Sequence, residues 1–260
     1  MLLVIDAGNT NVTLGVFREQ QLIAQWRLIT DRDKSSDELE PEVRSLFERS
    51  GIDRKEVEAI AVSSVVPQLD HTLKQLAKAF FELPPFFIDH TADTGLKILY
   101  DPPSDVGADR IVDAVAAVAK YGVPCIVVDF GTATTFNAIN AAKEYLGGVI
   151  APGIMISAEA LFARAAKLPR VEIKRPEKVI GSGTIGAMQS GLYHGYASLV
   201  DGVLEQMFAE MRVKPRVIAT GGLASLIATG SRLIEEVDET LTLEGLRLVY
   251  ERSLASEEES

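Results

Sequence analysis

Two segments of this chain, 123 residues apart in a total of 260, are near copies of each other. The first reads Val4-Ile5-Asp6-Ala7-Gly8-Asn9-Thr10-Asn11. The second reads Val127-Val128-Asp129-Phe130-Gly131-Thr132-Ala133-Thr134. Each is an apolar, strand-like run that ends in Asp-x-Gly and continues into small hydroxyl or amide side chains. The repetition predicts one structural unit used twice. Each copy would bring an aspartate and a phosphate-sized turn to a shared cleft, which suits a nucleotide held between two domains.

The order of predicted elements supports the duplication. Leu2–Asp6, Val12–Phe17 and Leu22–Leu28 read as a three-stranded meander. A helix is expected over Asp37–Arg49, with Leu39, Val43, Leu46 and Phe47 on one face. A strand over Ala59–Val66, a helix over Pro67–Phe80 and a short strand over Pro85–Asp89 follow. The second half repeats the pattern: strands Cys125–Phe130, Thr134–Ala141 and Tyr145–Ala151, then helices, then Arg216–Thr220 and the run Leu233–Val237. A meander followed by alternating helices and strands describes a ribonuclease H-like α/β unit. Two of them describe the actin-like ATPase and sugar kinase architecture. The join is placed near 115/116, in the Val- and Ala-rich helix Ile111–Ala119 that ends at Tyr121-Gly122-Val123-Pro124. The second domain is expected over 116–252, closing on a helix Leu243–Arg252, and Ser253–Ser260 reads as a frayed acidic tail.

Composition narrows the function classes. Apolar residues make up 47%, enough for two cores. The net charge of −11 and the pI near 4.9, with no block of Lys or Arg, argue against a nucleic-acid partner. One cysteine, Cys125, excludes an internal disulfide and reads as a core thiol. No basic segment precedes Leu2–Ile5, and the uncharged stretch Tyr145–Ala158 falls short of the ~18–20 residues that span a bilayer. A cytoplasmic protein without a membrane partner is expected. There is no Gly-x-x-x-x-Gly-Lys-Ser/Thr. Gly181-Ser182-Gly183-Thr184-Ile185-Gly186 fits Gly-x-Gly-x-x-Gly but follows a poor strand, so it reads as a loop entering a long helix. Three scattered histidines and one cysteine give no basis for a zinc site or a Ser-His-Asp centre.

Two constellations carry chemistry. In the segment Asp6, Ala7, Gly8, Asn9, Thr10, Asn11, Val12 and Thr13, Gly8 lets backbone N–H groups approach a phosphate, and the Asn and Thr side chains add neutral donors. Asp6 at a strand end suits a hydrated Mg²⁺ beside phosphates. A plain hairpin turn with Asx hydrogen bonds is the alternative. The second constellation is Tyr100-Asp101-Pro102-Pro103-Ser104-Asp105-Val106-Gly107-Ala108-Asp109-Arg110. Asp109 at a helix start suits a base that takes a hydroxyl proton, and the fork of Arg110 suits a carboxylate or phosphate. Helix capping by Asp109 with a surface ion pair at Arg110 is the alternative.

Together these residues resemble the type III pantothenate kinases over about residues 1–250. The resemblance rests on Asp6-x-Gly8-Asn9-Thr10-Asn11, Gly107-x-Asp109-Arg110, Asp129-Phe130-Gly131-Thr132-Ala133-Thr134-Thr135, Gly147-Gly148-Val149-Ile150-Ala151-Pro152-Gly153, and Thr184 followed by Ala187-Met188-Gln189-Ser190-Gly191. It implies transfer of the γ-phosphoryl group of ATP to pantothenate, the first step toward coenzyme A. It also implies ATP contacts from residues 6–13 and Thr132, and pantothenate contacts from Tyr100, Gly107, Ala108, Asp109, Arg110 and Thr184. Asp109 would be the proton acceptor. Asp129 would hold a monovalent cation, K⁺ or NH₄⁺, with Mg²⁺ accompanying ATP. Gly183 departs from the Asn often expected there. Neither phosphate turn contains a lysine, so cations and backbone donors are expected to carry the phosphate charge.

Two rivals differ in class. One is another small-molecule kinase or phosphatase of the same superfamily, for which Gly107-x-Asp109-Arg110 with Tyr100 would not be expected. The other is a catalytically silent regulator of the Bvg accessory factor type, against which Asp6, Asp109 and Asp129 argue jointly. A homodimer is expected on the helix from Thr184. Ile185, Met188, Leu192, Tyr196, Leu199, Val203 and Met207 form an apolar stripe, and Ala187, Gly191, Gly195, Ser198 and Gly202 form a small-residue stripe. Burial of both stripes within one subunit is the alternative.

Overall fold

The computed structural model describes residues 1–258, with side chains through Ser256. The chain divides into two compact units. The first takes Met1–Ala116 and the C-terminal helix from Leu241; the second takes Ala117–Thr240.

In the first unit, β1 (Leu2–Ala7), β2 (Asn11–Arg18) and β3 (Gln21–Ile29) form an antiparallel meander. β4 (Ala59–Ser64) and β5 (Pro85–Phe87) extend the sheet in parallel, giving the order β3-β2-β1-β4-β5. One face packs on α1 (Ser36–Arg49) and α2 (Pro67–Leu76): Leu3, Ile5, Val12 and Leu14 meet Leu39, Val43, Leu69 and Leu73. The other face packs on α3 (Ala108–Tyr121) and α7 (Leu241–Glu258), where Leu2, Val4 and Ala61 meet Val112, Leu243, Leu246 and Val249. Covered on both sides, β1 reads as a continuous apolar run instead of an alternating one. α2 was expected to reach Phe80 but passes into a single π turn over Ala77–Phe81, closed by Glu82 in the left-handed region. A two-residue strand, β6 (Lys97–Ile98), precedes the loop that leads to α3.

The second unit repeats this plan. β7 (Cys125–Phe130), β8 (Ala133–Ile139) and β9 (Glu144–Pro152) are the antiparallel meander. β10 (Arg216–Thr220) and β11 (Glu236–Val237) add in parallel, and within the unit the order is β11-β10-β7-β8-β9. α4 (Ile154–Arg164), α5 (Thr184–Met211) and α6 (Ala224–Ala228) complete it. Ile126, Val128 and Phe136 pack with Leu192, Val200 and Ile227. Cys125 is buried, and burial pushes its thiol up to about 12, which keeps it an uncharged core group.

Two boundaries differ from expectation. The second unit ends at Thr240, not at 252, because α7 lies on the sheet of the first unit. The expected tail from Ser253 is helical through Glu258. Arg252 Nε and Ser256 Oγ both donate to Asp93, at 2.8 and 2.9 Å, and so pin the last described turns. Glu259 and Ser260 lie outside the described residues.

α7 and α3 approach closely at Gly245, where a Cβ would stand 2.0 Å from the carbonyl oxygen of Val112. Thr242 Oγ1 donates to Asp113 Oδ1 at 2.7 Å beside it. In an exposed helix, Gly→Ala gains about 1 kcal/mol. Here the sign should reverse: Gly245→Ala should lower the urea midpoint, and a raised midpoint would contradict the α7–α3 packing.

Candidate active site

The register of the first sheet builds one half of the site. Ser63 on β4, Asp6 on β1, Thr13 on β2 and Arg27 on β3 are direct cross-strand partners, so their side chains share one face. By strand alternation it is the face that carries Leu2 and Val4 and is covered by α3 and α7. Ser63 Oγ donates to Asp6 Oδ1 at 2.5 Å. The turn that follows is closed by Gly8 N–H donating to the Asn11 carbonyl at 3.0 Å. A Cβ on Gly8 would sit 3.1 Å from that same carbonyl oxygen, which is why glycine fits this approach. From the end of β3, Thr30 Oγ1 donates to the Gly8 carbonyl at 2.6 Å and Thr30 N–H to the Thr10 carbonyl at 3.0 Å. Arg32 Nη2 donates to Asn9 Oδ1 at 3.0 Å. Asn9 and Thr10 remain exposed at the tip. The turn is thus braced from behind and open in front, more than an isolated hairpin needs.

Loss of hydration raises the Asp6 carboxyl to about 7. The Ser63 hydrogen bond lowers it, the charge of Asp109 raises it, and that of Arg27 lowers it. Asp109, the second residue of α3, is the other carboxyl on this side. Its Oδ1 accepts the backbone N–H of Arg110 at 2.8 Å. A Cβ at position 107 would stand 2.4 Å from that Oδ1, so Gly107 provides the room into which the carboxylate folds back. Burial raises the pKa of Asp109, opposed by its backbone hydrogen bond and by Arg110. Arg110 is 7% exposed, with its guanidinium 5.7 Å from the centroid of the Tyr100 ring. That excludes the surface ion pair considered from sequence. Tyr100, Gly107, Ala108, Asp109 and Arg110 therefore form one group with Asp6.

In the second unit Asp129 ends β7 as Asp6 ends β1, with Thr132 in the turn before β8. The Asp129 carboxylate nestles against two glycines. A Cβ at Gly131 would lie 3.0 Å from Oδ2, and one at Gly221 would lie 2.3 Å from Oδ1. Gly221 has φ of +90°, a conformation that favours glycine. Gly153 packs its α-carbon over Thr132, where a Cβ would be 2.0 Å from the Thr132 carbonyl oxygen. Thr184 opens α5 and is exposed; Gly183 before it caps the helix without a side-chain hydrogen bond. Ser63, Arg27, Thr30, Arg32 and Gly221 were not anticipated. The available signals were Ser63-Ser64 closing an apolar run, Trp26-Arg27 inside a strand, and Gly221-Gly222 after one.

Among the described residues no group of three or more His, Cys, Asp or Glu side chains gathers to cage a metal. The donors present fit a different kind of ion site. Mg²⁺ bound with a nucleotide needs one or two carboxylates plus phosphate oxygens and water, and Asp6 beside the open turn supplies such a carboxylate.

A family model for type III pantothenate kinase matches residues 2–206. The chain belongs to the type III pantothenate kinase family. It is 54% identical over 254 residues to the type III pantothenate kinase of Halalkalibacterium halodurans, covering 98% of this chain and all of that one. It is 53% identical to that of Koribacter versatilis, with 97% and 96% of the two chains covered. As a member of this family the chain is a phosphotransferase. Its α/β fold, two sheets each begun by an antiparallel meander, is shared with solved structures of low sequence identity. A putative Baf family transcriptional activator from Campylobacter jejuni superposes with a TM-score of 0.59 at 19% identity, covering 97% of this chain and 99% of that one. The activator of 2-hydroxyisocaproyl-CoA dehydratase from Clostridium difficile does so with 0.57 at 10% identity, covering 100% and 97%. No helix among the described residues is long and apolar enough to cross a membrane.

The raised Asp6 carboxyl makes stability of this pantothenate kinase depend on pH. In the folded chain Asp6 titrates near 7 instead of 3.8, so between these values the folded state binds more protons. Its contribution is fully present below pH 3.8 and is lost as pH rises through about 7. Asp6→Asn should flatten the fall in thermal midpoint across that window in nucleotide-free protein. An unchanged slope would show that Asp6 ionises freely.

Proposed function

We propose that the chain phosphorylates pantothenate to 4'-phosphopantothenate with Asp109 as the proton acceptor. The observation that carries this role is the placement of the Asp109 carboxylate. It folds back over Gly107 at the start of α3, depleted of water and beside the buried Arg110. A base is most effective when its pKa moves toward the working pH, and burial moves Asp109 in that direction. The hydroxyl oxygen attacks the γ-phosphorus, its proton passes to Asp109, and ADP leaves. Phosphoryl transfer is chiefly a matter of positioning and charge stabilisation.

Arg110 and Tyr100 line the acceptor side. The guanidinium fork of Arg110 suits the pantothenate carboxylate, with the Tyr100 ring beside it. Gly107, Ala108 and Thr184 complete the acceptor contacts. Residues 6–13 and Thr132 bind ATP through backbone donors and small polar side chains. Asp6 would hold Mg²⁺ with the nucleotide and Asp129 would hold K⁺ or NH₄⁺, and these ions would supply positive charge to the phosphates.

A coupled assay of ADP release with and without pantothenate tests the reading. Asp109→Asn should lower kcat by ~10²–10⁴-fold with an unchanged circular dichroism melt. Retention of more than half the activity would remove Asp109 from the role. The same assay in K⁺ and in Na⁺ tests the ion: wild-type should need K⁺ or NH₄⁺, and Asp129→Ala should lose that preference along with activity. Full turnover in Na⁺ alone would reject the cation site.

The same reading includes an isologous homodimer on α5. Ala187, Gly191, Gly195, Ser198 and Gly202 are all exposed in the single chain, and Cβ atoms added at Gly191, Gly195 and Gly202 would meet nothing within 4 Å. Met188, Leu192 and Met207 of the apolar stripe are buried in the unit's own core, whereas Ile185 is 55% exposed. Sedimentation equilibrium should give twice the 28.2 kDa chain mass, and Gly195→Leu should weaken the assembly. A monomer mass for wild-type would reject it.

A further inference from the structure

We propose that Arg27 is the cationic side chain this kinase aims at the γ-phosphoryl group of ATP. This rests on the phosphotransferase reading and adds a residue to it. Neither Asp-x-Gly turn contains a lysine or arginine, although the transferred group carries charge on three equatorial oxygens. The fold meets that need from a neighbouring strand. Arg27 on β3 is the direct partner of Thr13 on β2, which is the direct partner of Asp6 on β1. Two antiparallel steps of ~4.5–5.5 Å separate the backbones of Arg27 and Asp6, a span that an extended arginine side chain largely covers. All three side chains leave the same face of the sheet, beside the open phosphate turn. Arg27 is exposed, and among the described residues its guanidinium forms no hydrogen bond or ion pair. The carboxylate whose titration it influences is Asp6.

Other cations near the turn are placed differently. Arg32 is engaged with Asn9 at the exposed tip, and Lys34 forms an ion pair with Glu42 at 2.6 Å. Arg110 is packed against Tyr100. Arg27 alone combines an uncommitted guanidinium with the Asp6–Thr13 row. A planar fork can bridge two phosphate oxygens at once, which a lysine at the same place cannot do. A solvated surface arginine with no catalytic contact is the competing account.

The two accounts separate on Arg27→Gln and Arg27→Lys in the full chain. Arg27→Gln should keep its thermal midpoint and lower kcat by ~10²–10³-fold, the usual cost of deleting one donor to a developing charge. Its affinity for the β,γ-imido analogue of ATP should fall by about tenfold, or about 1.4 kcal/mol, while ADP binding stays unchanged. Arg27→Lys should recover only part of the rate, and free guanidinium ion should raise kcat of Arg27→Gln but not of wild-type. A kcat near wild-type in Arg27→Gln would overturn the proposal, as would equal losses for ADP and the triphosphate analogue. Wild-type turnover of pantothenate in the same assay reports on the parent reading independently.

Discussion

The pairing register of β1 governs the Asp6 end of the first unit. β1 is buried on both faces, so Leu3 and Ile5 are committed to α1 and α2 while Leu2 and Val4 are committed to α3 and α7. A slip of one residue would exchange these sets and send Asp6 to the opposite face. The apolar contacts therefore do more than stabilise the sheet. They fix which side carries Asp6, and with it the row of Ser63, Thr13 and Arg27. α3 packs on that same face, and its first turn presents Asp109 and Arg110 to that side.

Electrostatics then follows from placement. Asp6 and Asp109 each lose hydration and each becomes a weaker acid, and the charge of Asp109 adds to the cost of ionising Asp6. In an acidic chain of net charge −11, a triphosphate brought to such a place demands positive charge and oriented donors. The fold supplies them unevenly. Backbone amides come from the braced turn after β1, and the guanidinium proposed for the γ-phosphoryl group comes from Arg27 on β3. In the second unit the Asp129 carboxylate packs against the backbone of Gly131 and Gly221. Glycine recurs here because each approach brings an oxygen to within the space of a missing Cβ, at Gly107, Gly131, Gly153 and Gly221.

The strands that bear the two aspartates were legible because fully covered strands are written as unbroken apolar runs. Cys125–Phe130 and Arg216–Thr220 match the structure residue for residue, and β1 extends its expected range only by Ala7. The start of α5 at Thr184 was legible from the glycine-rich loop before it. The last helix was legible as a helix but not as a member of the first unit. An amphipathic face records that it must be covered, not which sheet covers it. Its extension beyond Arg252 was hidden for a similar reason: Asp93, which anchors Arg252 and Ser256, lies far away along the chain.

By itself the sequence determined the duplication, the strand-ending aspartates, the phosphate-sized turns and the Gly107–Arg110 motif. These are local patterns, and their chemistry follows from residue type and spacing. Only the tertiary structure decided that Ser63 bonds Asp6, that Arg110 is buried against Tyr100, that Gly221 shapes the Asp129 cradle and that Arg27 stands in the Asp6 row. Each of those joins elements through register or packing. Such contacts depend on how many residues separate a side chain from its strand end across a ladder, and no local propensity encodes that count.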